Sequence, residues 1–295
     1  DSIVLDRAFL QWKPSLEFDF WGGRFANPYF STPLVWDGDI NFEGIAGGFN
    51  RESGKELRPF VTAGIFPLQD VEFGSSKWFW ALQGGTEYRP RADIISKVGL
   101  AWYDYQNMTG IVNDPARPGL TDWTAPLFQQ KGNTLMDIDP GPGIKTAYAS
   151  EFQLFDVTAS LDFALFYPIH IIVMGDYVVN LGFDQDEVSE RAGAQVPEEN
   201  SGYQLGMLVG HPSVSSLWNW NAALTYRYLE ADAVPDAFTD SDFHDGGTNA
   251  KGWIFNASLG VWRNIWFSLS YYSTDEISGP PLAIDTLFVD LNAKF

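Results

Sequence analysis

The sequence predicts an all-β fold, a transmembrane antiparallel up-and-down β-barrel. Three observations predict it. Segments of about ten residues alternate between apolar and polar side chains, large aromatic residues lie near the ends of the apolar faces, and the links between segments alternate in length, short then long. A soluble antiparallel sandwich also alternates in this way, but it requires neither the terminal aromatic residues nor the alternating links.

The alternation divides the chain into thirteen strand-like segments. A strand with one lipid face must alternate because successive side chains point to opposite sides. In the last segment this predicts a lipid-facing set of Leu287, Val289, Leu291, Ala293 and Phe295 and an inward set of Asp290 and Lys294. The predicted segments are 3–13, 15–25, 40–50, 58–68, 78–88, 94–106, 148–163, 168–182, 202–211, 216–230, 250–262, 264–275 and 285–295.

The composition agrees with this fold class and excludes others. Charged residues make up 19% of the chain and aromatic residues 16%, whereas soluble domains carry about 25% charged residues. The longest apolar run, between Asp162 and Asp176, is too short and too interrupted for a spanning helix. The net charge of -20 argues against binding nucleic acid, which requires basic patches. The absence of cysteine excludes disulfides and thiolate metal sites.

Thirteen is an odd number, whereas single-chain bacterial barrels have an even number of strands. The last strand runs from an outer loop to the periplasm, and counting back places the start of the first strand outside as well. We interpret residues 1–295 as a single outer-membrane barrel domain. Either this sequence lacks the N-terminal strands of the barrel, or the count of thirteen is wrong by one. We expect additional polypeptide, from the same gene or another chain, between segments 3–13 and 285–295, because unpaired strand edges are unfavourable in lipid.

Four blocks carry a resemblance to a known family. They are SIVLDRAFLQWKP (2–14), GGRFANPYFSTPLVWDGDINFEG (22–44), GDYVVN (175–180) and FTDSDFHDGGTNAKGW (238–253). In these blocks and their order the chain resembles the bacterial putative-porin family of large outer-membrane barrels. The resemblance implies about three upstream strands and about sixteen in the complete barrel. Sixteen strands leave an aqueous channel, whereas eight are filled by side chains.

The link at 26–39 is the predicted constriction. With three strands upstream it joins the fifth and sixth strands, where sixteen-stranded porins have a loop that folds inward and narrows the pore. Its two prolines and bulky apolar residues also suit a buried position better than a free surface loop. The residues predicted to form the constriction are Trp36, Asp37 and Asp39. The alternative is a short cap at the barrel mouth.

Charged residues at inward positions define the predicted pore lining. Six of them are acidic and three are basic, which predicts a negative lumen and a modest preference for cations. The alternative is that they are solvated wall residues without strong selectivity. The predicted pore-lining residues are Arg7, Glu17, Asp19, Asp156, Asp162, Asp176, Arg227, Asp290 and Lys294.

Two acidic runs are candidate calcium sites, because oxygen ligands at alternate positions suit a hard cation. They are Asp37, Asp39, Asn41 and Glu43, and then Asp240, Asp242 and Asp245. Neither matches the spacing of a helix–loop–helix calcium loop, so we interpret both as solvated turns. We expect no metal site and no other cofactor.

Catalysis requires a base positioned near a nucleophile or a water molecule. None of the three histidines, His170, His211 and His244, has an obvious partner in the sequence. We therefore expect no enzymatic activity.

These observations predict a bacterial outer-membrane pore for passive diffusion of small hydrophilic solutes or cations. Its expected partners are outer-membrane lipid and these solutes, with association into a homotrimer left open and nucleic acid excluded. One alternative is a substrate-specific channel. Another is a barrel that sheaths or anchors a protein partner, as a structural or electron-conduit component.

Overall fold

The computed structural model describes residues 5–51, 56–71 and 74–294. Thirteen of the strands in these ranges form one large sheet, and β7 and β8 form a separate pair. The strands are β1 (Ala8–Trp12), β2 (Phe18–Ala26), β3 (Asn41–Asn50), β4 (Leu57–Gln69), β5 (Lys77–Arg91), β6 (Ile94–Gln106), β7 (Leu135–Asp137), β8 (Thr146–Tyr148), β9 (Gln153–Phe166), β10 (Ile169–Asn180), β11 (Ser201–Gly210), β12 (Trp220–Leu229), β13 (Ala250–Trp262), β14 (Ile265–Glu276) and β15 (Ala283–Ala293).

The large sheet is antiparallel and up-and-down. Its order is β1 to β6 and then β9 to β15, so every strand pairs with its neighbour along the chain. The all-β barrel fold and the thirteen strands predicted from the alternation are confirmed. A single α-helix of the described chain, α1 (Gln185–Ala192), lies in the link between β10 and β11. Within the described ranges, no helix is both long and apolar enough to cross a membrane.

The strands β1 and β15 lie at the two edges of the sheet. Hydrogen-bonded pairing joins β1 to β2 and β15 to β14, and no ladder connects β1 to β15 within the described ranges. The polypeptide expected to fill this gap remains a prediction.

The last strand shows how the two faces of the sheet are distinguished. Leu287, Val289 and Leu291 are each 60–66% exposed, as expected for side chains that meet lipid. On the opposite face, Phe288 contacts the buried Tyr272 ring edge-on at 6.0 Å, and Asp290 is paired in register with Ser268. The exposure of Leu287, Val289 and Leu291 and the register of Asp290 agree with the predicted orientation, while Phe295 lies outside the described residues.

A charge on the lipid face should be far more costly than one on the inner face. Val289→Arg is expected to lower the free energy of unfolding by about 2–4 kcal/mol, the cost of a basic residue near the bilayer midplane. Asp290→Arg, one position along, is the matched control and should cost much less. Denaturant unfolding in lipid vesicles measures both, and equal costs would contradict the assignment of the faces.

The predicted segment 148–163 is divided in the structure. Tyr148 pairs with Leu135 in the small β7–β8 sheet, and β9 begins only at Gln153. Similarly, the segment predicted to begin at 216 begins at Trp220, because Trp218 adopts a left-handed conformation with φ of 65°. Both corrections move residues from the barrel wall into its links.

Candidate functional site: the lumen and its inward loop

The link between β2 and β3 lies against the inner wall of the sheet; we refer to residues 27–40 as the inward loop. The Gln83 side chain of β5 forms two hydrogen bonds with the backbone of this loop. The Phe30 N–H donates to Gln83 Oε1 at 2.8 Å, and Gln83 Nε2 donates to the Phe30 carbonyl at 2.7 Å. Gln83 is fully buried, so this pair of hydrogen bonds is shielded from water.

Trp36 anchors the middle of the inward loop. Its indole is 3% exposed and stacks on the Phe79 ring, with the ring centroids 5.3 Å apart. It also contacts Phe42 at 4.7 Å and Tyr103 at 5.4 Å. Trp36 belongs to the predicted constriction loop, and the structure places it inside an aromatic cluster, a buried position of the kind expected for the bulky apolar residues of an inward-folded loop.

A second loop, residues 230–249 between β12 and β13, packs on the first. Thr239 Oγ1 donates to the Leu34 carbonyl at 3.0 Å, and the Asp240 N–H donates to the Pro33 carbonyl at 3.3 Å. The Asp37 N–H donates to the Phe238 carbonyl at 2.8 Å. The two loops therefore form one body that fills part of the interior.

An acidic cluster forms where the two loops meet. The Ser241 N–H donates to Asp37 Oδ2 at 2.8 Å, and the charge of Asp37 is the main cause that raises the pKa of Asp39. The pKa of Asp242 is raised by burial and then by four neighbouring carboxylates, Asp240, Asp37, Asp39 and Asp290. The structure thus joins members of the two acidic runs that the sequence presents separately.

The inner wall has two unlike halves. Along β3 to β6 the inward side chains that meet the loops are large aromatic residues, among them Phe42, Phe66, Phe79, Tyr103 and Tyr105. Along β12 to β15 many are small and polar, including Asn221, Thr225, Asn256, Ser258, Ser268, Ser270 and Asn292. The aromatic half binds the loops, and the polar half is suited to contact with water.

Five of the predicted pore-lining residues remain accessible. Asp19 accepts from Lys13 Nζ at 2.8 Å, and Asp162 lies 2.7 Å from His170 Nδ1. Asp290 is exposed on the inner face of β15. Glu17 and Lys294 lie just outside strands, at the end of the sheet where the short links are found.

Four predicted lining residues require correction. Asp156, Asp176 and Arg227 face inward but are at most 5% exposed, because the loops cover them. They are therefore buried groups rather than the surface of an open channel. Arg7 precedes β1, and its Nε donates to Asn41 Oδ1 at 2.7 Å. Asn41 shares the outer face of β3 with the exposed Ile45, so Arg7 lies on the wrong side of the sheet to line the lumen.

Several inward polar residues were missed. Besides Gln83, they include Lys97, whose ammonium lies 4.2 Å from the centroid of the Phe30 ring. Arg58 and Glu87 form a 3.7 Å ion pair on the inner face of β4 and β5. Alternation along these two strands places both at inward positions, so the signal was present in the sequence.

His211, His244 and Glu43 each have a hydrogen-bond or ion-pair partner in the surrounding protein. His211 Nδ1 contacts the Trp220 backbone, and His244 Nδ1 lies 2.9 Å from Thr274 Oγ1. Glu43 forms a 2.7 Å ion pair with Arg24. Among the described residues, no group of three or more acidic or histidine side chains is arranged to hold a metal ion.

Two buried carboxylates connect the 230–249 loop to the 107–152 loop, which lies between β6 and β9. Asp232 Oδ1 accepts the Thr134 N–H at 2.9 Å. Asp236 Oδ2 accepts the Gln130 N–H at 3.0 Å, and its Oδ1 accepts the Tyr148 hydroxyl. Burial raises the pKa of each of the two carboxyl groups from 3.8 to about 6.

The packing of these loops should weaken as the pH rises. Because a raised pKa means that the folded loops bind protons more tightly than the unfolded chain, this contribution is complete below about pH 4 and is lost as the pH rises through about 6. It amounts to about 2–3 kcal/mol for each group. Hydrogen-exchange protection of the Gln130 and Thr134 amides, corrected for the intrinsic pH dependence of exchange, should fall over this range. Asp236→Asn should remove the dependence at Gln130, and a flat profile in the parent would contradict the prediction.

The sheet and its filled interior define a class, the outer-membrane-type β-barrel with loops folded into the lumen. The chain belongs to the putative-porin family, whose sequence model matches residues 1–295. Family and fold together point to the outer membrane.

No curated protein matches this sequence. Among solved structures, LpxR from Salmonella typhimurium is similar over 85% of this chain and 88% of its own length, with 8% identity and a TM-score of 0.30. A likeness at that TM-score carries no argument about this chain.

Proposed function

We propose that the chain forms a passive, water-filled pore for small hydrophilic solutes, with a modest preference for cations. The small polar side chains along the inner face of β12 to β15 are the observation that carries this proposal. These strands present Ser258, Ser268 and Asn292 inward, where an aromatic wall would exclude water. No enzymatic step is part of the proposal.

The acidic cluster provides the selectivity. Asp39 and Asp290 are exposed, and the carboxylates of Asp37 and Asp242 lie close to them. Rings of carboxylates favour cations, and this cluster lies at the border between the loop body and the polar half of the wall. In this proposal, outer-membrane lipid surrounds the barrel and the solutes pass without a dedicated binding partner.

Replacing Asp37 and Asp39 together by Asn should weaken the cation preference measured from reversal potentials. The screening length is about 30 Å in 0.01 M salt and about 3 Å in 1 M salt, so wall charges act together in dilute salt and only a constriction acts in concentrated salt. The variant should therefore lose most of any preference that remains at 1 M.

The matched control removes the same charge from an exposed helix, by Asp186→Asn with Glu190→Gln in α1. It should leave the reversal potential in 1 M salt unchanged. If the Asp37/Asp39 variant behaves like this control at every salt concentration, the loop does not set selectivity. Anion preference of the parent in dilute salt would overturn the proposed cation preference.

A further inference from the structure

Two buried carboxyl groups, those of Asp156 and Asp176, lie on neighbouring strands beneath the inward loop. Asp156 of β9 is opposite Val178 of β10, and Asp176 of β10 is opposite Thr158 of β9. The two aspartates are thus diagonal neighbours on the inner face of two adjacent strands. Asp156 is fully buried and Asp176 is 5% exposed.

The described surroundings supply no positive charge to this pair. Tyr103 of β6 lies beside it, together with Tyr29 of the inward loop. On β12, Arg227 is bound by Asp240 at 2.9 Å and by Gln204 at 3.0 Å. Lys97 of β6 lies over the rings of Phe30 and Phe60. Neither Asp156 nor Asp176 forms an ion pair with any residue that the structure describes.

Hydrogen-bonding groups of the loop and wall converge on the pair. Thr32 Oγ1 of the inward loop donates to Asp176 Oδ2 at 2.5 Å. Trp36 Nε1 and Tyr103 Oη are buried and without a hydrogen-bond partner in the described structure, as are Oδ1 of Asp156 and Oδ1 of Asp176. Unpartnered buried polar atoms are unfavourable. Two of these four atoms belong to the pair itself, and the other two belong to the Trp36 and Tyr103 side chains, whose rings are in contact.

Two neighbouring buried carboxylates cannot both remain ionised without a cation or a proton to offset their charges, because like charges repel strongly where water is excluded. A hydrogen bond between two carboxyl groups likewise requires a proton. We propose that Asp156 and Asp176 share one proton, exchanged with lumen water, and that this proton holds the inward loop in place.

The coupling to the loop passes through Thr32. With the proton bound, the pair carries a single negative charge, and Asp176 accepts the Thr32 hydroxyl. When the proton leaves to water, a second buried negative charge appears next to the loop anchor. Water can solvate that charge once the inward loop moves away from β9 and β10. The loop therefore loosens as the pH rises.

Infrared spectroscopy of the full chain in lipid tests the proton directly. At neutral pH the parent should show a carboxylic-acid C=O band that shifts in D₂O. Asp156→Asn should abolish the band, because the Asn side-chain amide can donate to Asp176 without a titratable proton. Asp162→Asn, on the same inner face of β9 but hydrogen-bonded to His170, is the control and should retain the band. If Asp156→Asn does not fold, Asp176→Asn carries the same expectation.

Hydrogen exchange at the Phe30 amide, which donates to Gln83, tests the coupling. Its protection, corrected for intrinsic exchange, should fall with rising pH in the parent and stay constant in Asp156→Asn. Both measurements are independent of whether the barrel conducts. If the parent shows no carboxylic-acid band, the proposal of a shared proton is wrong. It is also wrong if the band persists in both Asp156→Asn and Asp176→Asn. A band-free parent stabilised by added cations assigns the site to a cation instead and also overturns it.

Discussion

Replacing Trp36 by alanine is expected to release the inward loop and to increase single-channel conductance. The indole packs against Phe42, Phe79 and Tyr103 of the wall and lies 5.7 Å from the Phe238 ring in the 230–249 loop. Truncating a buried Trp typically costs about 3–5 kcal/mol. Since Trp36 contacts both the wall and the 230–249 loop, most of that cost should appear as loss of loop docking rather than of the sheet.

The loop and the sheet can be separated experimentally. In Trp36→Ala, hydrogen-exchange protection should fall at Phe30 and persist in β13 and β14. Trp253→Ala is the matched control, because Trp253 is 51% exposed on the outer face and its loss leaves the interior intact. Conductance in this control should equal that of the parent. An unchanged conductance in Trp36→Ala would show that the docked loops do not restrict the pore.

Removing one partner of the buried Arg227–Asp240 pair should produce the second large effect. Asp240→Ala is expected to lower the free energy of unfolding by about 3–5 kcal/mol, because it leaves a buried guanidinium without a counter-charge. Arg227 is 2% exposed, lies 2.9 Å from Asp240 Oδ2, and has its guanidinium 4.6 Å from the centroid of the Phe243 ring.

The double variant identifies the cause. Arg227→Met combined with Asp240→Ala removes both charges and keeps an apolar side chain against Phe243, so it should be markedly more stable than Asp240→Ala alone. Denaturant unfolding in vesicles gives the three free energies required. Additive losses in the double variant would mean that the pair contributes packing but no electrostatic coupling.

Strand number and strand direction could be predicted because they depend on a local, repeated signal. Alternation with a period of two in β13, β14 and β15 specifies which side chains face outward, and the burial of Tyr272 against the exposure of Val289 agrees with it. The signal weakens where a residue has a partner outside the wall. The alternation extends the predicted segment 148–163 to Tyr148, yet Tyr148 pairs with β7.

The burial of inward residues could not be predicted in the same way. Thr32 and Asp176 are 144 positions apart in the chain, and no local pattern shows that one covers the other. Asp156, Asp176 and Arg227 therefore have the predicted direction without the predicted exposure. The meeting of Asp37 with Ser241 is equally non-local, so the sequence shows two acidic runs where the structure has one cluster.

Planar-bilayer recording from the purified chain, together with any polypeptide that completes the barrel, tests the proposed pore most directly. A hydrated path along β12 to β15 predicts a steady, ohmic single-channel current that increases when Trp36→Ala releases the loops. A barrel that inserts into the bilayer but carries no current, in the parent and in Trp36→Ala alike, would contradict the pore and favour a sheath or an anchor for a protein partner.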